Sequence, residues 1–249
     1  MKNIFKVDIT TYLIIILSFL AGNFKEIIIL YIIIIIHELG HLLFIKIYKK
    51  KIINITIYPF GGICKYNSLV NHKIKEELLI SFAGILFQLL LYILFLIIYK
   101  YNIINTYTYN LFIKNNTSLL IFNILPIIGL DGEKIIHLLL EYVLPYKLVN
   151  NLSIIISILS LLIFIICSYS NKINILFILS FLIYKLIIFI KGKKYLENKF
   201  LLERYIYVVP YNKIKYISSD NLDNMYQETY HFFNHKKEYE YLKERFKYR

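Results

Sequence analysis

The sequence predicts an all-α polytopic membrane protein with about six transmembrane helices, a β-hairpin after the second of them and a small C-terminal appendage. Three observations carry that prediction. Of 249 residues, 58% are hydrophobic and 18% charged, and mean hydropathy is +0.59; a soluble domain of this size cannot bury so much apolar surface. The apolar residues fall in runs at about 9–22, 27–47, 78–99, 111–130, 152–169 and 173–190, most of them near the ~20 residues that cross a bilayer. Lys plus Arg number 29 against 16 Asp plus Glu, a net charge of +13. On so apolar a chain that excess fits anionic lipid headgroups and the positive-inside rule, and argues against a nucleic-acid partner.

Taken in order, the first run is the shortest. It follows Lys2 and Lys6, but Phe19-Leu20-Ala21 makes a poor small-residue cleavage site, so the run is expected to be retained as a span. After the second run, 51–66 alternates Ile53, Ile55 and Ile57 with Asn54, Thr56 and Tyr58, then turns at Pro59-Phe60-Gly61-Gly62, the pattern of a β-hairpin. The third run contains Gln88, whose amide is expected to bond another helix. Pro126 and Gly129 interrupt the fourth, and backbone freed from a helix at membrane depth must be buried in protein or line a wet cavity.

From Gly192 onward charge rises, with a strand-like 205–209, a turn at Pro210 and a Ser219-Asp220 cap before a polar helix. The expected division is a six-helix membrane domain at 1–191 and a small basic tail at 192–249. His231 and His235 read as a solvated helix face, and His137 as a packing or interfacial residue. Lys46, Lys49, Lys50, Lys51, Lys65, Lys73 and Lys75 follow the second run and Lys191, Lys193 and Lys194 the sixth; the opposite loops hold Lys25, Lys100, Lys114 and Lys172. That asymmetry places the hairpin and both termini in the cytosol, in agreement with an even number of spans. Cys64 and Cys167 show neither a metal-binding spacing nor a disulfide framework.

The chemistry is concentrated in the second run, at His37-Glu38-Leu39-Gly40-His41. Histidines at i and i+4 share a helix face and can present two nitrogens to one Zn²⁺, while the Glu between them can take a proton from water. Ionisable groups in an intramembrane helix are expensive unless they face a polar cavity and a partner. A hydrolytic zinc site needs a third protein ligand and an open position. Asn123-Ile124-Leu125-Pro126-Ile127-Ile128-Gly129-Leu130-Asp131-Gly132 offers Asp131, although on spacing alone Asp131-Gly132 also fits a loop start at a helix end.

The pairing of HELGH with N-x-x-P-x-x-x-x-D-G some 80–90 residues later resembles the site-2 protease family of intramembrane zinc metalloproteases. Phe60-Gly61-Gly62 and Ser81-Phe82-Ala83-Gly84 add to the likeness. The short chain with a hairpin and a C-terminal appendage is most similar to the stage IV sporulation protein FB branch, which activates a sporulation sigma-factor precursor. The resemblance covers 27–140 firmly and implies His37, His41 and Asp131 as zinc ligands and Glu38 as the general base. It also implies that the Asn123 amide orients substrate or stabilises a developing oxyanion. A membrane-associated protein substrate, inhibitory membrane partners and a homo-oligomer are the partners it implies besides the lipid bilayer. The chain departs from the pattern at Ile85, where many members have proline, and in a tail shorter than the paired nucleotide-binding CBS module of that branch.

Three rivals remain at this stage. A metal or ion transporter could use the same His and Asp residues, but transporters usually repeat their broken helices and no second such segment occurs. A membrane zincin with a later third ligand has Glu133 and Glu141 available. A membrane scaffold would need neither metal nor Glu38.

Overall fold

A computed structural model describes residues 5–58, 61–167, 172–207, 211, 213–218, 221–234 and 236–247. The chain is mostly helical and divides into two compact units, Met1–Ser68 with Leu79–Ile124, and Leu69–Leu78 with Leu125–Arg249. Among the described residues three helices are long and apolar enough to cross a membrane: Phe24–Ile47, Ile74–Lys100 and Tyr146–Cys167. The first and fourth expected spans are shorter or more polar. Ile9–Leu20 has 12 residues, about 18 Å of helix, and Thr106–Ile124 carries Lys114, Asn115, Asn116 and Thr117.

The first unit contains β1 (Phe5–Val7), α1 (Ile9–Leu20), α2 (Phe24–Ile47), β2 (Ile52–Tyr58), β3 (Gly61–Tyr66), most of α3 (Ile74–Lys100) and α4 (Thr106–Ile124). Asp8 starts α1 by accepting the Thr10 amide at 3.0 Å, which satisfies a donor the helix leaves unpaired. Ile29, Ile33 and Ile34 of α2 pack with Leu91 of α3 and Phe112 and Leu119 of α4, and Phe95 stacks on Phe112 at 3.7 Å. As expected, Gln88 bonds another helix: its amide donates to the Asn116 carbonyl at 3.0 Å.

The hairpin is present as antiparallel β2 and β3; Pro59 and Phe60 of the expected turn lie outside the described residues. β1 pairs with β2 in parallel, Phe5 opposite Ile55 and Val7 opposite Ile57. β2 is therefore the central strand, with the hairpin's outer strand being β3. The alternation read from the sequence survives only in part, since Ile55 is 4% exposed and Ile53 60%.

The second unit holds α5 (Asp131–Glu141), α6 (Tyr146–Cys167), α7 (Lys172–Ile206), β4 (Lys213–Ile217), β5 (Thr229–Phe233), β6 (Lys236–Lys237) and α8 (Glu238–Lys247). The helix of the sixth run does not stop at the end of its apolar stretch; α7 continues as 35 residues. Tyr205 and Ile206, expected to begin a strand, end that helix, and Pro210, Ser219 and Asp220 lie outside the described residues. The tail residues Phe200, Leu201, Leu222, Met225, Phe233 and Leu242 share a core with Tyr146, whose ring stacks on Phe200 at 4.3 Å. The tail thus encloses apolar side chains of its own.

The reading of His231 as a solvated helix residue is corrected. It lies on β5, where Thr229, His231 and Phe233 are buried in a two-residue period, and a helix begins only at Glu238. His231 is fully buried, with its amide and its Nδ1 each 2.9 Å from Glu238 Oε2. The Arg204 guanidinium bonds Glu238 Oε1 at 2.9 Å and the Thr229 carbonyl at 2.8 Å, and it reaches Asn71 Oδ1 at 2.7 Å. Burial pulls His231 below its ordinary pKa against the opposing pull of Glu238. His235 lies outside the described residues.

Candidate active site

His37 and His41 stand one turn apart on α2 and are both buried, 4% and 9% exposed. Their Nε2 atoms are 3.1 Å apart and the ring planes cross at 79°. His41 Nδ1 lies 2.7 Å from the Ile80 carbonyl oxygen on α3. Only an N–H can meet a carbonyl at that distance, so the proton sits on Nδ1 and the Nε2 lone pair faces His37. Two nitrogens held about 2.05 Å from one tetrahedral Zn²⁺ are separated by about 3.3 Å, so the donor pair fits that ion.

Glycine keeps the space beside these nitrogens open. A Cβ on Gly84 of α3 would meet His41 Nε2 and lie 2.6 Å from Cε1 and 2.7 Å from Nε2 of His37. On the facing helix, a Cβ on Gly40 of α2 would stand 2.6 Å from the Ala83 carbonyl oxygen, so small residues let α2 and α3 approach closely enough for the Ile80 bond. The Ala83-Gly84 pair noted in the sequence thus has a steric purpose.

Glu38 is buried, and its Oε1 accepts the Gly62 amide of β3 at 3.0 Å. Asn123, the penultimate residue of α4, brings its amide nitrogen to 3.5 Å from His37 Nε2. The expected interruption of the fourth run follows: α4 ends at Ile124, and Gly129 takes φ +102°, a conformation open mainly to glycine. The Ile128 amide released by the break donates to Ser157 Oγ of α6 at 3.1 Å. Asp131 is the first residue of α5. His37, Glu38, His41 and Asn123 therefore assemble within the first unit, and Asp131 heads the first helix of the second.

The rival ligands Glu133 and Glu141 are engaged elsewhere. Glu141, with no exposed side-chain surface, lies 3.2 Å from His72 Nε2 and 3.3 Å from His137 Nε2. His137 Nδ1 lies 2.9 Å from Ser153 Oγ and 3.6 Å from Glu133. Periodicity could not reveal this network, because it joins the segment before α3 to α5 and α6; the i,i+4 spacing of Glu133, His137 and Glu141 was its one visible sign. Burial works to raise the Glu141 pKa, but bonds and charges from His137 and His72 bring it below the ordinary value. Burial likewise works to lower that of His137, yet Glu141 and Glu133 raise it overall.

A stability test follows from those directions. The Glu141 contribution is present above its unfolded pKa and disappears as pH falls through its lowered folded value; that of His137 is complete below its unfolded pKa and disappears as pH rises through its raised one. Both act together between about pH 4.5 and 6.5. Glu141→Gln breaks a buried ion pair and should cost about 3 kcal/mol there, with a smaller loss by pH 9. Thermal unfolding of the detergent-solubilised protein across pH checks this; a gap that does not vary with pH would mean that no ion pair forms.

The chain is 30% identical over 192 residues to stage IV sporulation protein FB of Bacillus subtilis, a match covering 76% of this chain and 67% of that protein. The peptidase family M50 profile matches residues 25–110, the stretch that contains HELGH. The chain belongs to peptidase family M50, the site-2 proteases. This M50 protease is also 31% identical over 117 residues to zinc metalloprotease MJ0392 of Methanocaldococcus jannaschii, covering 46% of this chain and 34% of that one. The solved site-2 protease from Methanocaldococcus jannaschii aligns with a TM-score of 0.53 at 26% identity, over 79% of this chain and 90% of that chain. The protein is an integral membrane metalloprotease, which sets the transporter and scaffold readings aside.

Proposed function

We propose that this M50 protease hydrolyses a peptide bond of a membrane-associated protein near the cytosolic face, using one Zn²⁺ held by His37, His41 and Asp131. The observation that carries the reading is the pair of buried imidazole nitrogens 3.1 Å apart beside the anchored carboxylate of Glu38. For the third ligand, support comes from the place of Asp131 in the N-x-x-P-x-x-x-x-D-G motif and from the engagement of Glu133 and Glu141 with histidines.

When bound, zinc supplies the Lewis acidity that makes water acidic near neutral pH and polarises a carbonyl. Glu38 takes the water proton on the carboxylate oxygen that Gly62 leaves open and returns it to the leaving amine. Asn123 orients the scissile carbonyl or donates to its developing charge. His41 keeps its working tautomer through the Ile80 carbonyl. Removal of zinc by a chelator should abolish cleavage in reconstituted membranes, and stoichiometric zinc should restore it. Undiminished cleavage by the metal-free protein would overturn the reading.

A substrate helix must unwind before it is cut, because its carbonyls are already hydrogen-bonded. The hairpin supports capture of the unwound segment as an added strand. With β2 enclosed between β1 and β3, proline at Asn54 or Thr56 would disrupt the sheet itself, and β3 is the strand to test. Cys64→Pro removes an amide turned away from β2 and should lower cleavage at least ~10-fold with zinc content unchanged. Full activity would exclude β3 as the capture edge. The identity to a stage IV sporulation protein favours a sigma-factor precursor as the substrate, and the lysine distribution favours six spans with both termini in the cytosol. Co-expression with a candidate precursor, wild type against Glu38→Gln, tests the substrate.

A further inference from the structure

We infer that Gly62 is a positioning residue for Glu38: the outward amide of this β3 residue holds the carboxylate, and its missing side chain leaves the space the carboxylate fills. The inference rests on the reading of Glu38 as the general base.

The register of the sheet shows why this amide is available. Gly62 stands opposite Ile57 of β2. The Ile57 carbonyl is turned the other way, where it accepts from the Asp8 amide and from Thr11 Oγ, both at 3.0 Å. In an antiparallel ladder, residues whose polar groups face away from the partner form a non-hydrogen-bonded pair. The Gly62 amide must then point out of the sheet, where it meets Glu38 Oε1 at 3.0 Å.

The need for glycine is steric. A Cβ on Gly62 would lie 2.5 Å from Cδ, 2.6 Å from Cγ and 2.9 Å from Oε1 of Glu38. Among the described glycines only Gly22, Gly61 and Gly129 take positive φ, and Gly62 does not. An alanine would therefore be tolerated by the backbone, and the three atoms its Cβ would meet first all belong to Glu38. Relieving contacts of 2.5 Å requires a shift near ~1 Å, and a misplacement of that size costs about 10²-fold in rate. Anchoring one carboxylate oxygen also removes rotamer freedom that a long acidic side chain would otherwise retain, and it leaves Oε2 to receive the proton.

Two measurements on the full-length protein in detergent test this. Hydrogen exchange at the Gly62 amide should be slow in the wild type and at least ~10-fold faster in Glu38→Ala, with or without zinc; no acceleration overturns the inference, whatever the chain hydrolyses. Gly62→Ala should lower kcat about 10²-fold with KM and zinc content unchanged. Glu38→Asp, one methylene shorter, should then raise kcat in the Gly62→Ala background although it lowers kcat in the wild type. Independent, multiplying losses, or a wild-type kcat for Gly62→Ala, overturn the inference. If Gly62→Ala does not fold, the exchange measurement decides alone. Failure of the underlying reading looks different, since Glu38→Gln would then cleave at the wild-type rate.

Discussion

Glu38→Gln is expected to abolish peptide-bond cleavage while leaving zinc bound and the fold intact. The amide has the volume of the carboxylate, so the packing against β3 and the acceptor for the Gly62 amide at 3.0 Å are retained on the side-chain carbonyl oxygen. What disappears is the capacity to take a proton from water and deliver it to the leaving amine. Loss of a general base costs 10²–10⁴-fold, equivalent to about 3–5 kcal/mol in the barrier. Single-turnover cleavage of a membrane-spanning substrate in vesicles, with zinc measured on the same preparation, separates this from a binding defect. Retention of most of the activity would remove Glu38 from the chemistry.

The parts of the site legible in the sequence were those fixed by short-range geometry. His37 and His41 had to share a face because they are four residues apart on a helix, and Pro126 with Gly129 had to break the fourth run because one lacks an amide and the other readily adopts φ above zero. What stayed hidden depends on long-range pairing. Nothing in residues 5–7 announces a strand that joins β2 in parallel, and that pairing moves the hairpin's outer edge to β3. His231 looked like an exposed helical histidine because His231 and His235 repeat the i,i+4 spacing. Its partner Glu238, and the Arg204 that bonds the same carboxylate, lie 7 and 27 residues away in the sequence, and only the fold brings them together. The apolar runs were legible but the extents of the helices were not, since α7 outlasts the sixth run and α4 carries Lys114, Asn115 and Asn116 within the fourth.

The second large effect concerns the metal. Asp131→Asn is expected to reduce zinc occupancy and cleavage together, because a carboxylate that ligates through a charged oxygen is replaced by a neutral amide that is a far weaker donor to a dication. Removing a group that merely orients a ligand typically costs 10–100-fold in metal affinity, and loss of a ligand itself should cost more. Glu133→Gln, two residues on, is the control: Glu133 faces His137 and lies 3.6 Å from its Nδ1, so its loss should lower thermal stability but leave zinc stoichiometry and kcat within about 2-fold of wild type. The two variants differ in position by less than one helical turn and remove the same charge, so a general electrostatic effect would move both alike. Zinc content of the purified proteins, measured after dialysis against a competing chelator of known affinity, decides between them. If Glu133→Gln loses the metal and Asp131→Asn keeps it, the third ligand is Glu133, and the break at Pro126 and Gly129 serves to place α5 rather than its first residue.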